Sequence, residues 1–223
     1  MRREVIAELL DDDIGTPAEI AASIGDLRAI NSRFGGINTT VSMLRRVAAH
    51  CSCRKFTMLD VAAGGGDLAA AARTLMASSD MELAPTLLDR MASHLSGSSA
   101  PAVCGDALHL PFADGAFDVV NCSLFAHHLR PDELQQFVAE GLRVCRRAVL
   151  INDLIRSRLH LWFVYAGLPS FRSHLTRHDA PASVRNAYTV REMRQLLQEL
   201  PAERIEISRH FLFRMGVMVW KRH

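Results

Sequence analysis

The chain has 223 residues, of which 49% are hydrophobic and 22% charged, and its formal net charge is +2. That length suits one ample domain and is short for two, and the composition can support a real core. So small a net charge does not by itself imply nucleic-acid binding.

No uncharged run approaches the roughly 20 apolar residues that a bilayer span needs, so no transmembrane segment is expected. No basic, apolar opening marks the chain for export. The five cysteines (Cys51, Cys53, Cys104, Cys122 and Cys145) are an odd set. Without an export signal they read as reduced thiols of a cytoplasmic protein. Cys51 and Cys53 stand too close for the usual zinc spacing and lack a second Cys/His pair nearby, so no metal site is expected.

In chain order, apolar spacing predicts helices over Arg3 to Leu10 and Pro17 to Ile30, parted by Asp11-Asp12-Asp13-Ile14-Gly15. Thr16-Pro17-Ala18-Glu19 is a helix start, with Thr16 as cap and Glu19 as its box partner. After Gly35-Gly36 a third helix is expected from Thr39 to His50, so residues 1–50 read as a helical N-terminal cap on a domain of residues 51–223. Strands follow at Phe56 to Ala62, Leu83 to Leu88, Ala102 to Cys104, Phe117 to Asn121 and Ala148 to Asn152. Between them lie helices at Leu68 to Met76 and Pro131 to Val144. This alternation predicts an α/β fold, a doubly wound and mostly parallel sheet with helices on both faces.

The rhythm breaks over residues 154–188, a stretch apolar and aromatic at first and then basic, with five arginines against one acid. Connections in such folds take about 2 to 6 residues, so this stretch is an insertion. At the carboxyl edge of a parallel sheet it would lie over a ligand crevice. It reads as a lid, with Trp162 and Tyr165 as apolar wall and Arg177, His178 or Arg185 meeting a polar or acidic group. The competing reading is a surface patch used to make a homodimer rather than a monomer. Thr189 then caps a helix from Val190 to Leu200, and Arg204 to Ser208 with Phe211 to Trp220 alternate as a C-terminal β-hairpin.

The chemistry concentrates in Leu59-Asp60-Val61-Ala62-Ala63-Gly64-Gly65-Gly66-Asp67-Leu68, a strand that runs through glycines into a helix. Such a turn lets backbone N–H groups approach a ligand. Its glycines do not follow the dinucleotide spacing, and Asp60 stands where a dinucleotide site is apolar. Asp89 ends the next strand, where an ionised carboxylate can accept from ribose hydroxyls. Gly105-Asp106-Ala107 and Phe117-Asp118-Val119-Val120 complete the series, with Asp67 expected to cap the following helix and Asp118 to be structural. His127-His128 follow the fourth strand, where a histidine near its ordinary pKa could take an acceptor's proton or simply pack the loop.

LDVAAGGGDLA, LLDR and GDALHLPFADGAFDVV, in that order, resemble the Rossmann-like class I S-adenosylmethionine-dependent methyltransferases over roughly Thr57 to Asp153. The LDVAxGxGDL form resembles methyltransferases of quinone biosynthesis, and Asn31-x-x-Phe34-Gly35-Gly36 with Asn152 to Ser157 is similar, more weakly, to bacterial methyltransferases of polyketide-type pathways. The resemblance implies a binding set of Asp60, Ala62, Ala63, Gly64, Gly66, Asp89, Arg90, Gly105, Asp106, Ala107, Asn121 and Cys122 for S-adenosylmethionine. In it Asp60 holds the ammonium group, Asp89 the ribose, Asp106 and Ala107 the adenine, and Asn121 and Cys122 the methionine portion; Cys122 could equally be core filling. Arg33 is a further candidate for the cofactor carboxylate. The family's usual first glycine is Ala62 here, and its usual Pro-Gly-Gly turn is Cys145-Arg146-Arg147.

The expected activity is methyl transfer to a small organic acceptor such as a phenol, quinone or polyketide-like molecule. The alternatives are a binding protein of the same fold without catalysis and a nicotinamide oxidoreductase. Nucleic-acid methylation is disfavoured, because neither an Asp/Asn-Pro-Pro-aromatic motif nor a Pro-Cys nucleophile is present.

Overall fold

The computed structural model describes every residue except Asp13, Ser96 and His223, so Asp13 of the expected 11–15 break lies outside the described residues. Seven strands form one sheet: β1 Lys55–Val61, β2 Glu82–Asp89, β3 Ala102–Cys104, β4 Phe117–Ser123, β5 Cys145–Leu154, β6 Ala202–His210 and β7 Arg214–Lys221. Their order is β3-β2-β1-β4-β5-β7-β6; β1 to β5 run parallel, and β7 lies antiparallel between β5 and β6. The predicted doubly wound, mostly parallel sheet with a terminal hairpin is the observed fold.

The central strands are apolar on both faces because helices cover both. Successive residues of a strand point to opposite faces, and Met58/Leu59, Val119/Val120 and Leu150/Ile151 divide accordingly between two core clusters. One cluster holds Met43, Leu44 and Val47 of α2 (Gly36–Cys51) and Met76 of α3 (Asp67–Ala77). The other holds Leu134 and Phe137 of α4 (Pro131–Val144) and Met193 and Leu197 of α7 (Val190–Leu197). Each such side chain, fully buried, contributes about 1.5–3 kcal/mol. In place of the family's glycine turn, α4 passes directly into β5 at Cys145.

The chain winds outward from β1 through β2 to β3, then returns to place β4 on the other side of β1. The order reverses between β1 and β4, and ligands of such sheets bind outside the carboxyl ends at that point. Asp60 and Asn121 sit opposite each other there.

A layer of helices lies beyond this edge: α1 (Pro17–Arg33), α5 (Arg158–Gly167) and α6 (His174–Asn186). Ser23 of α1 hydrogen-bonds Thr176 of α6 at 3.0 Å, and Asp26 accepts the backbone N–H groups of Arg172 and Ser173. The expected helix over Arg3 to Leu10 does not form; only a short 3-10 turn, Leu10–Asp12, is helical. Its backbone groups pair with α6 instead. Ile6 N–H and C=O engage the Asn186 amide at 2.8 Å each, and Leu9 N–H donates to Asp179 at 2.9 Å. Tertiary partners outweigh a weak local preference. No helix among the described residues is long and apolar enough to cross a membrane.

Candidate active site

β1 buries Met58 to Val61 and then turns sharply. Ala62, Gly64 and Gly66 all have positive φ, at +54°, +53° and +76°. Gly66 caps α3; a side chain there would have to push aside a Leu87 methyl 2.5 Å from its Cβ and hold a left-handed backbone, which is why glycine suits the position. Asp67 is thus the first residue of α3 and not its cap; its carboxylate instead pairs with Arg28 of α1 at 2.9 Å.

Against this loop lies a cavity of about 300 Å³, lined by Asp60, Ala62, Ala63, Gly64 and Ser123 of the sheet edge and by Arg28 and Asn31 of α1. Asp60 is buried and accepts one hydrogen bond, from the Asn121 amide at 2.6 Å. Burial pushes its pKa up to about 7, and the Asn121 amide offsets that only in part. Asn121 Oδ1 and Ser123 Oγ are buried with no hydrogen-bond partner. A buried carboxylate with one amide donor and two idle polar atoms at a cavity edge is a poor arrangement by itself. It becomes a good one when a cation and hydroxyl or amine donors fill the space. The ammonium end of an amino acid meets that requirement.

Asp89 at the end of β2 accepts from Gly64 N–H at 2.9 Å and Met91 N–H at 3.0 Å, and His94 lies 3.5 Å away. Burial works to raise its pKa, but His94 and the two amides override it and hold the carboxyl below the ordinary range. An ionised carboxylate offers about four acceptor sites, so capacity remains for further donors. Arg90 donates to the carbonyl of Asp11, and Gly105 N–H to that of Asp89, each at 3.0 Å. Asp106 is exposed and accepts from Leu108 N–H at 2.9 Å. Of the expected set, Asp60, Ala62, Ala63 and Gly64 share the cavity wall and Asn121 is bonded to it. Gly66, Asp89, Arg90, Gly105, Asp106, Ala107 and Cys122 do not line it. Cys122 is packed in the core against Asp60 and Asp153, and burial drives its thiol well above the ordinary range.

A second cavity, of about 240 Å³, opens under the helical layer. Leu124, Leu154, Phe163, Phe171 and Phe213 supply much of its apolar wall, and Glu8, Asp11, His127 and His128 line a polar end. Arg214 also lines it: 1% exposed, it donates to Asn152 Oδ1 at 3.4 Å and Asn31 Oδ1 at 2.9 Å. Among the described residues no carboxylate lies within 4.0 Å of it, and burial lowers its pKa to about 10. The two cavities are neighbours. Ser123 lines one and Leu124 the other, while Asn31 of the first holds Arg214 of the second.

His127 is buried, its Nδ1 is 2.7 Å from Asp153, and its Nε2 faces Glu8 at 3.4 Å. Burial opposes charge on the ring, but Asp153 and Glu8 override it and raise its pKa to about 10. In the unliganded protein the ring therefore holds its proton between the two carboxylates, and either base chemistry at Nε2 or binding of a cation there requires that proton to leave. His128 is less buried, with Nδ1 2.7 Å from Asp11.

The proposed lid residues are corrected more fully. α5 turns Trp162, 62% exposed, and Tyr165, 46% exposed, to solvent and gives Phe163 and Val164 to the cavity. Arg177 donates to the carbonyl of Phe171, His178 pairs with Asp179, and Arg185 bonds the Tyr165 hydroxyl. None of these five lines the cavity. Arg33 is exposed, and Arg28, one turn earlier, faces the first cavity in its place. Sequence patterning does not single out Glu8, Asp11, Phe163, Phe213 or Arg214. Periodicity holds no signal for them, because Glu8 and Asp11 come from a segment that fits no regular element.

The architecture at this switch point is a Rossmann-like fold similar to that of solved methyltransferases. Residues 59–151 match a family profile described as a methyltransferase domain. The plantazolicin methyltransferase BpumL, in complex with SAH, is similar in structure over 97% of this chain and 95% of its own, with a TM-score of 0.69 at 14% identity. Magnesium protoporphyrin IX methyltransferase (ChlM) from Synechocystis PCC 6803, with bound SAM, shares 84% of this chain and 80% of its own (TM-score 0.52, 12% identity). Human N-acetylserotonin methyltransferase in complex with SAM covers all of this chain with 63% of its own (TM-score 0.63, 13% identity). No curated relative matches the chain by sequence.

Proposed function

We propose that the chain transfers the methyl group of S-adenosylmethionine to a small, largely apolar acceptor, phenol-, quinone- or polyketide-like, held in the second cavity. The observation that carries this reading is the pairing of two adjoining cavities. One is edged by a buried carboxylate awaiting a cation, and the other is apolar with one polar end. Bound S-adenosylmethionine supplies an already activated sulfonium methyl group.

The chain's own residues align and shield. Asp60, with Asn121, would hold the ammonium group, and the amides of the Ala62–Gly64 turn would meet the amino-acid end. Asp89 would take ribose hydroxyls, and Asp106 with Ala107 the adenine edge. Phe163, Phe171 and Phe213 exclude water from the acceptor side, and Glu8, His127 and His128 orient the acceptor's nucleophilic atom. Alignment of two bound reactants is the main catalytic contribution available to such a site.

Calorimetry with S-adenosylmethionine and S-adenosylhomocysteine tests the donor half. Both are expected to bind in the micromolar range, about 7–8 kcal/mol. Tight binding of NADH with none of either sulfur compound would overturn the reading.

A further inference from the structure

The polar end of the acceptor cavity has an organisation that methyl transfer alone does not require. Glu8, His127 and His128 bring one carboxylate oxygen and two ring nitrogens within 4.8 Å of one another. Glu8 Oε1 lies 3.4 Å from His127 Nε2, and Glu8 Oε2 lies 4.0 Å from His128 Nε2. In a tetrahedral site with bonds of about 2.0–2.1 Å, neighbouring donor atoms stand roughly 3.3–3.4 Å apart. The first edge already has that spacing; the second runs to the carboxylate's other oxygen, so an ion would be met by both oxygens of Glu8 or by one after the carboxylate turns.

Both rings are turned the same way. His127 presents Nδ1 to Asp153 and His128 presents Nδ1 to Asp11, each at 2.7 Å. A carboxylate on one ring nitrogen is the usual support of a metal-binding histidine, since it fixes the ring and leaves the other nitrogen to the ion. That other nitrogen on His127 is buried without a hydrogen-bond partner; its approach to Glu8 is too long and bent to count as one. All three side chains line the cavity, so an ion held by them would keep coordination positions open toward it.

We propose that Glu8, His127 and His128 form a binding site for a divalent first-row transition metal, open to the acceptor cavity and supported by Asp153 and Asp11. Two imidazoles and one carboxylate suit zinc, iron or manganese rather than magnesium or calcium, which favour all-oxygen sites. There the ion would bind an oxygen or nitrogen of the acceptor and ease loss of its proton. That role rests on the methyltransferase reading; the ion site does not.

The test uses the full chain, stripped with EDTA and titrated at pH 8 with zinc by calorimetry and with cobalt(II) by visible absorption. One equivalent is expected to bind with micromolar or tighter affinity, and cobalt to give ligand-field bands. Glu8→Gln and the less buried His128→Gln should each weaken uptake at least tenfold, while Cys51→Ser/Cys53→Ser should leave it unchanged. S-adenosylhomocysteine binding by each variant reports that the fold is intact. Absence of uptake, or uptake indifferent to Glu8→Gln and His128→Gln, overturns the metal site; if S-adenosylhomocysteine still binds, the methyltransferase reading survives it. Metal uptake that depends on Glu8 and His128, without S-adenosylhomocysteine binding, upholds the ion site and overturns the methyltransferase reading.

Discussion

The two cavities meet at the end of β4 yet are built on different principles. The donor cavity is built mainly on the sheet edge, on a strand end, a tight turn and a helix start within Leu59 to Leu68, with Ser123 and the Arg28 and Asn31 side of α1 completing it. The acceptor cavity is assembled from distant pieces: the opening segment, α1, the segment after β4 that carries His127 and His128, the α5–α6 insertion and the β6–β7 turn. The first is rigid by local geometry. The second depends on long-range pairs such as Asn186 with Ile6 and Asp26 with Ser173. Substitutions should therefore affect the two halves separately, and the following outcomes would break or sharpen that division.

The largest effect belongs to Asp60. Asp60→Asn removes the one buried carboxylate on the donor cavity wall and leaves the bound cation without its counter-charge. Breaking a buried pair in this way costs about 3–5 kcal/mol, so S-adenosylhomocysteine affinity should fall by two to three orders of magnitude in calorimetry. The wild type should also show a pH signature. The folded-state pKa, about 7, lies above the ordinary 3.8, so the unliganded fold favours the protonated carboxyl. The stability this group contributes is full below about pH 4 and is lost as pH rises through about 7. A cationic ligand prefers the ionised form, so its stabilising shift in melting temperature should grow between pH 6 and 8. A shift independent of pH across that range would show that Asp60 does not meet the cation.

Next comes His128. His128→Gln should reduce turnover about 100-fold while leaving S-adenosylhomocysteine affinity unchanged. Equal loss in both measurements would show that the two cavities are one cooperative unit.

The same contrast explains what can be read from the sequence. Asp60, Gly64 and Asp89 are legible because their places depend on local order: Asp60 and Asp89 lie at strand ends that periodicity reveals, and Gly64 in the turn that follows the first of them. The stretch of residues 154–188 is legible as an insertion but not in its facing. Along α5 the sequence Leu-Trp-Phe-Val-Tyr is apolar all round, so spacing cannot decide that Phe163, itself 44% exposed, borders the cavity while Trp162 does not. Arg214 sits in a strand whose neighbours are apolar, and only tertiary structure shows that Asn31 and Asn152 receive it. Glu8 is hidden for a different reason. The opening segment has helical apolar spacing, yet its amides are satisfied by Asn186 and Asp179.

A smaller effect follows from the orientation of α5. Phe163→Ala removes a ring from the acceptor wall and should raise the acceptor KM about tenfold with little change in donor affinity. Trp162→Ala, on the solvent side, should change stability by no more than about 0.5 kcal/mol and leave KM alone. The reverse ranking would mean that α5 rotates on binding and that Trp162 is the residue meeting the acceptor.

The smallest expected effect lies in the donor loop. Ala62 holds φ at +54°, a region that costs an L-residue roughly 1–2 kcal/mol. Ala62→Gly removes that strain but gives the unfolded chain more freedom, worth about 0.4–1 kcal/mol in the other direction. The net should be a stabilisation of about 0.5–1 kcal/mol, or roughly 1–4 °C in melting temperature for a chain of this size. The Ala62 methyl contributes to the cavity wall but not to the hydrogen bonds of Asp60 or Asp89. Donor affinity should therefore change less than about threefold, well within the roughly 1 kcal/mol that separates packing from charge effects at such a site. A destabilised variant would show that the methyl packs well enough to outweigh the backbone strain. A large loss of affinity without loss of stability would instead show that Ala62 stiffens the loop for the ligand, which would make the donor cavity less preformed than its local geometry implies.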